Sequence, residues 1–147
     1  MSASVARVLD PAPRSFLAFD FGTRRTGVAT GNTLVGRAQP LKTLTLRGDA
    51  RWAAIADVIR EWQPSALVVG VPRHPDGAPH ENTARARRFG HQLRARFGLP
   101  VHEVDERYTT TQARADGARD LDAAAAALIL EQFFASAGDA GRPGARG

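Results

Sequence analysis

The sequence predicts an α/β domain, a mixed sheet with helices on its faces. Three observations carry this expectation. Strand-like runs at Phe16–Asp20, Arg25–Gly31 and Leu34–Leu46 follow one another across short turns, which favours antiparallel neighbours. Helix-period and strand-like runs then alternate, the pattern of helices packed on a sheet. Finally, Ala66–Val71 is a continuous apolar run, suited to a central strand covered on both faces.

In chain order, Met1 to Ser15 is Ala/Ser/Pro-rich and is expected to be a flexible lead (residues 1–15). The domain proper is expected over 16–135. Phe16 to Asp20 is the first strand and Arg25 to Gly31 the second, with Gly31-Asn32 as turn chemistry. The third extended segment, Leu34 to Leu46, is interrupted by Pro40. Gly48-Asp49 opens a helix in which Trp52, Ile55, Ile59 and Trp62 share one apolar stripe, so both tryptophans are expected in the core. Pro64 ends it. After the Ala66–Val71 strand, Pro75-Asp76-Gly77 marks a turn in a polar loop. A helix from about Glu81 to Phe97 buries Ala86, Phe89, Leu93 and Phe97 and carries most of its arginines off that stripe. Gly98-Leu99-Pro100 stops it, and Val101–Val104 is the last strand. Thr109 or Thr110 can cap a short helix. The final helix, from about Asp120 to Phe134, is apolar almost all round over Ala123–Ala127, as expected of a helix packed tightly on the sheet. Residues 136–147 read as a disordered tail.

The chain has 147 residues, enough for one domain with its own core, and a net charge of +5. Lys42 is the only lysine, so arginine carries nearly all the positive charge. A basic domain points towards polyanions such as nucleic acid. No cysteine is present, which excludes disulfides and thiolate metal sites. No secretory signal and no membrane-spanning run is visible, so a cytoplasmic protein is expected. The four histidines have no metal-ligand spacing and are taken as surface residues. Gly-x-Ser-x-Gly, P-loop and Cys-His patterns are absent, leaving acyl transfer and P-loop nucleotide hydrolysis without support.

Acids adjoin strongly apolar elements at three places. Asp20 ends the first strand, Asp105-Glu106 end the last, and Asp122 lies in the first turn of the apolar final helix. If the first and last strands are parallel and adjacent, their acids emerge at one edge of the sheet, and the helix carrying Asp122 could pack beside them. Carboxylates are ligands that magnesium and manganese prefer, and two such ions about 4 Å apart can drive phosphodiester cleavage. Clustered carboxylates repel unless cations neutralise them. Each acid also has a plain structural reading: a turn residue at Asp20, a solvated strand end at Asp105-Glu106, a helix-dipole partner at Asp122. Arg24 and Arg25 follow Asp20, and Arg107 follows Glu106, positions from which guanidinium forks could hold phosphate.

These residues also form ordered motifs. Phe19-Asp20-Phe21-Gly22-Thr23-Arg24-Arg25-Thr26-Gly27-Val28-Ala29 resembles the opening motif of the YqgF family, also called RuvX. Gly70-Val71-Pro72-Arg73-His74-Pro75-Asp76-Gly77 resembles its Gly-Leu-Pro-x-x-x-Asp-Gly loop, Asp105-Glu106-Arg107-Tyr108-Thr109-Thr110 its Asp-Glu-Arg-Leu-Thr-Thr motif, and Asp122–Leu130 its final helix. The resemblance implies an RNase H-like fold: a mixed five-stranded sheet, three antiparallel strands then two parallel, with helices on both faces. It further implies a nuclease dependent on Mg2+ or Mn2+ that processes the pre-16S ribosomal RNA end during ribosome biogenesis. The implied catalytic set is Asp20, Asp105, Glu106 and Asp122, with Asp20, Glu106 and Asp122 as metal ligands and Arg24, Arg25, Arg107 and Thr109 as substrate contacts. A one-residue change of register would exchange the faces of Asp105 and Glu106, so which of the two binds metal stays open in the sequence.

Three departures from the family pattern stand out. Arg24 replaces a lysine, 111–119 is short, and Gly70 sits where resolvases of the wider group carry a metal-binding glutamate. Expected partners are RNA, as a monomer or weak homodimer, with branched DNA in a Holliday-junction resolvase as the alternative substrate. A non-catalytic RNA-binding assembly factor is the alternative from outside the enzymes. An actin-like ATPase, suggested by Asp20-Phe21-Gly22-Thr23, would need two domains that this length cannot supply.

Overall fold

A computed structural model describes residues 14–74, 76–79, 81–106 and 121–140, the last four as backbone only. Five strands form one sheet in the order β3-β2-β1-β4-β5. They are β1 (Ser15–Phe21), β2 (Thr26–Asn32), β3 (Ala38–Leu44), β4 (Ala66–Pro72) and β5 (Val101–Glu106). The helices are α1 (Gly48–Trp62), α2 (Thr83–Phe97) and α3 (Leu121–Ala140). β1, β2 and β3 pair antiparallel, while β1–β4 and β4–β5 pair parallel. The expected mixed five-stranded sheet is therefore the one observed. Among the described residues, no helix is long and apolar enough to cross a membrane.

Strand alternation sorts the core into two layers. Leu17 and Phe19 of β1 and Leu67 and Val69 of β4 join Ile55 and Val58 of α1 and Phe89 and Leu93 of α2. Phe16 and Ala18 of β1, with Ala66 and Val68 of β4, join Val104, Ile129 and Leu130 on the α3 side. Helices thus cover both faces, and β4, buried on each, explains its unbroken apolar run. Phe89 is the pivot of the first layer, stacking on Phe21 at 4.7 Å and on Trp52 at 5.4 Å.

Pro40 does not interrupt the third strand. β3 is an edge, so a residue without an N–H is tolerated there. A register shift beside it leaves Leu41 between Lys42, which pairs with Val28, and Pro40, which pairs with Ala29. The turn before β3 begins at Asn32, whose Oδ1 accepts the Val35 N–H at 2.9 Å; Gly31 and Asn32 themselves still belong to β2. In α1 the buried positions are Arg51, Ile55 and Val58, with Trp52 packed on their flank. Trp62 is 38% exposed, contrary to expectation. It is the last residue of α1, in a hollow lined by the outer ends of β1, β2 and β3, where little sheet remains beneath it. α3 runs on through Ala140, beyond the expected end at Phe134, because Ala135-Ser136-Ala137 carry no stop signal. His74, His91 and His102 are exposed; His80, the rest of the proposed lead before Arg14 and the tail after Ala140 lie outside the described residues.

Candidate active site

The first and last strands are not adjacent as expected, since β4 lies between them, but parallel pairing still brings the C-terminal ends of β1, β4 and β5 to one edge. Phe19 is level with Val69, Gly70 with Val104, and Pro72 with Glu106. Asp20 follows the alternation of Phe16 and Ala18, and Glu106 that of Val104, so both lie on the α3 side. Asp105 alternates to the other side. α3 adds Asp122 from its first turn. Its approach is close because Gly27 has no side chain: a Cβ there would stand 1.8 Å from the Asp122 carbonyl oxygen. Gly70 also leaves space that is used. A Cβ at 70 would meet Ile129 at 2.3 Å and the Glu106 carboxylate at 2.8 Å.

The result is a cavity of about 800 Å³ lined by Asp20, Glu106 and Asp122 and ringed by Arg24, Arg25, Arg47 and Arg73. Burial pushes the Asp20 carboxyl well above the usual carboxylate range. The Glu106 charge, a hydrogen bond to Glu106 and the Asp122 charge push it further. Asp122 is held by Arg25, whose Nε lies 2.9 Å from Oδ2. The donors are all oxygens, the chemistry that suits magnesium or manganese. Among the described residues no three acids or imidazoles are gathered tightly enough to enclose an ion as they stand, in keeping with Asp122 being turned onto Arg25. The raised Asp20 value is an electrostatic cost that a cation would lower, and the all-oxygen donor set is one that suits a divalent ion.

Of the expected site residues, Asp20, Glu106, Asp122, Arg24 and Arg25 are brought together, while Asp105 is not among those lining the cavity. Arg107 and Thr109 lie outside the described residues. Sequence reasoning missed Arg47, Arg73 and Arg51. In an arginine-rich chain, Arg47 and Arg73 carry no distinguishing signal. Arg51 had one: it stands four residues before Ile55, on the buried side of α1. Its Nε donates to the Leu46 carbonyl and its Nη2 to the Thr23 carbonyl, both at 2.9 Å. The guanidinium lies 5.2 Å from the Phe21 ring centre. Arg51 thus ties the Gly22–Arg25 turn to the link leading into α1. Arg51→Met, which keeps the packing stem, orphans both carbonyls. It is expected to cost about 3 kcal/mol, seen as a melting-temperature drop of roughly 10 °C.

The family model described as "RuvX: Holliday junction resolvase" matches residues 14–136. A protein of Polaromonas sp. (strain JS666), named "Putative pre-16S rRNA nuclease", is 62% identical over 136 residues, covering 92% of this chain and 99% of its own length. One of the same name from Albidiferax ferrireducens is 64% identical over 123 residues, covering 84% of this chain and 79% of its own. Among solved structures, Thermus thermophilus RuvC in complex with a Holliday junction substrate superposes with a TM-score of 0.55 at 18% identity, covering 84% of this chain and 95% of that one. The structural likeness shows the fold, which is the RNase H-like one of RuvC. With a family model spanning most of its length and relatives above 60% identity, the chain belongs to the RuvX family.

Proposed function

We propose that the protein is a metal-dependent nuclease that hydrolyses phosphodiester bonds in the cytosol and processes the end of pre-16S ribosomal RNA. The observation that carries this reading is the convergence of Asp20, Glu106 and Asp122, from β1, β5 and α3, on one arginine-ringed cavity. The names of the relatives support the substrate. A bound Mg2+ or Mn2+ would neutralise the carboxylates and supply Lewis acidity to a phosphate oxygen. Asp20 and Glu106 hold the centre of the site, and Asp122 orients Arg25 towards the incoming phosphate. Arg24 and Arg25 offer guanidinium donors to non-bridging oxygens.

The test is cleavage of a pre-16S transcript with magnesium or manganese, against the same mixture with chelator. Glu106→Gln is expected to lower the rate at least about a hundredfold, whereas Asp105→Asn leaves it within about threefold. The reverse ranking would overturn the assignment of Glu106. A second reading, cleavage of branched DNA, is favoured by the family's description and the junction-bound neighbour. A four-way junction run in the same assay separates the two. RNA binding that survives Asp20→Asn and chelator, without any cleavage, would instead identify a non-catalytic assembly factor.

A further inference from the structure

Two arginines on the rim of the cavity have no role in the centre itself. Arg47 follows β3 and immediately precedes α1, and Arg73 follows β4. In sheet order they stand on either side of Asp20 on β1 and of Asp122, which rests against β2, while Glu106 on β5 lies beyond Arg73. Both line the cavity, yet neither forms an ion pair among the described residues, unlike Arg25, Arg60 and Arg87. Arg73 is fixed at its backbone by a bridge to Pro79, which closes a small hairpin around His74 and Ala78. Arg47 stands beside the buried Arg51. Burial, and then the Arg47 charge, lowers the Arg51 guanidinium pKa from its ordinary value, so a second like charge sits behind Arg47. An anion there relieves the repulsion.

We propose that Arg47 and Arg73 are phosphate-binding residues that hold one nucleic-acid strand across the sheet edge, one on each side of Asp20. This rests on reading the Asp20–Glu106–Asp122 centre as a nuclease site. The strand ends they follow are three inter-strand spacings apart, roughly 14 Å. At about 3.4 Å per stacked nucleotide, that distance spans about four nucleotides. The strand therefore enters over one arginine, passes Asp20 and leaves over the other, with Glu106 just beyond Arg73. Two flanking cations neutralise backbone charge without reading bases, so the contact is indifferent to sequence and sensitive to salt.

The experiment measures binding of the full chain to a single-stranded oligouridylate by fluorescence anisotropy, in chelator, across a salt series. Each phosphate contact on a single strand contributes about 0.7 to the slope of log K against log salt. Arg47→Gln and Arg73→Gln should each lower the slope by about 0.7, and the double variant by about 1.4. Arg60→Gln, which removes a cation already paired with Asp57 on α1, should leave it unchanged. Thermal melting checks that the variants fold. Unchanged slopes in Arg47→Gln and Arg73→Gln overturn the proposal, as do equal losses in all three variants or no binding by the parent chain. Slope losses in a protein that cleaves nothing would sink the nuclease reading and leave the phosphate contacts standing.

Discussion

Replacing Gly27 by alanine is expected to cost about 4 kcal/mol or more, beyond the usual range for an added methyl, and to abolish cleavage with it. The added Cβ would lie 1.8 Å from the Asp122 carbonyl oxygen, 2.1 Å from its carbonyl carbon and 2.8 Å from the Ala123 nitrogen. All three are backbone atoms of the first turn of α3, so no rotamer change relieves the clash. Either β2 or the helix must move. The small side chains Ala123, Ala126 and Ala127 set the helix down close to the sheet, and Gly27 continues that closeness to the helix's first turn. Displacing the turn moves Asp122 and, through its ion pair, Arg25. Thermal melting and transcript cleavage measured together check this. A variant with parental stability and activity would mean that the first turn of α3 does not rest against Gly27.

The second large effect is expected from Asp20→Asn, with opposite signs in two measurements. Cleavage should fall by about three orders of magnitude, a barrier increase of about 4 kcal/mol. The melting temperature in chelator should rise. Burial, the charge and hydrogen bond of Glu106, and the charge of Asp122 hold the folded Asp20 proton to a pH well above the ordinary carboxylate range. Between the unfolded value, near pH 4, and the raised folded value, the native state binds more protons than the unfolded chain. Stability contributed by this group is therefore greatest at low pH and is lost as pH rises through that window. Asparagine resembles the protonated acid, keeps a donor for Glu106 and removes the titration. Its melting curve should lack that loss. Added manganese should stabilise the parent chain and not the variant. A variant less stable than its parent in chelator at pH 8 would show that Asp20 is not the strained group described.

The fold was legible because its signals are long and mutually consistent. β4 is apolar without interruption, and the glycine and proline stops after α1 and α2 fall where the helices end: Gln63 and Gly98 take the left-handed conformation before Pro64 and Pro100. The acids were legible as a set because each closes or opens an element. Which acid of the Asp105-Glu106 pair faces the cavity was not, since neighbouring strand residues point to opposite sides and only the pairing with β4 fixes which is which. Trp62 misled for a related reason. Helical periodicity states which side of α1 a residue is on, but not where the sheet beneath it stops. The helical spacing placed Arg51 on the buried side of α1, but its role was not legible, because its partners, Leu46 and Thr23, are backbone carbonyls that no residue type advertises.

The Gly27–Asp122 contact also bears on when the protein becomes competent. Asp20 and Glu106 lie on strands of the sheet, whereas Asp122 comes from an element made after all five strands. Gly27 and Asp122 are brought together across most of the folded chain, a long-range closure of the kind that forms late. During synthesis, which proceeds at roughly 5–20 residues per second, the emerging sheet can gather two of its acids while the third is still being translated. A nascent chain of this protein thus cannot assemble the three-carboxylate centre until α3 has left the ribosome.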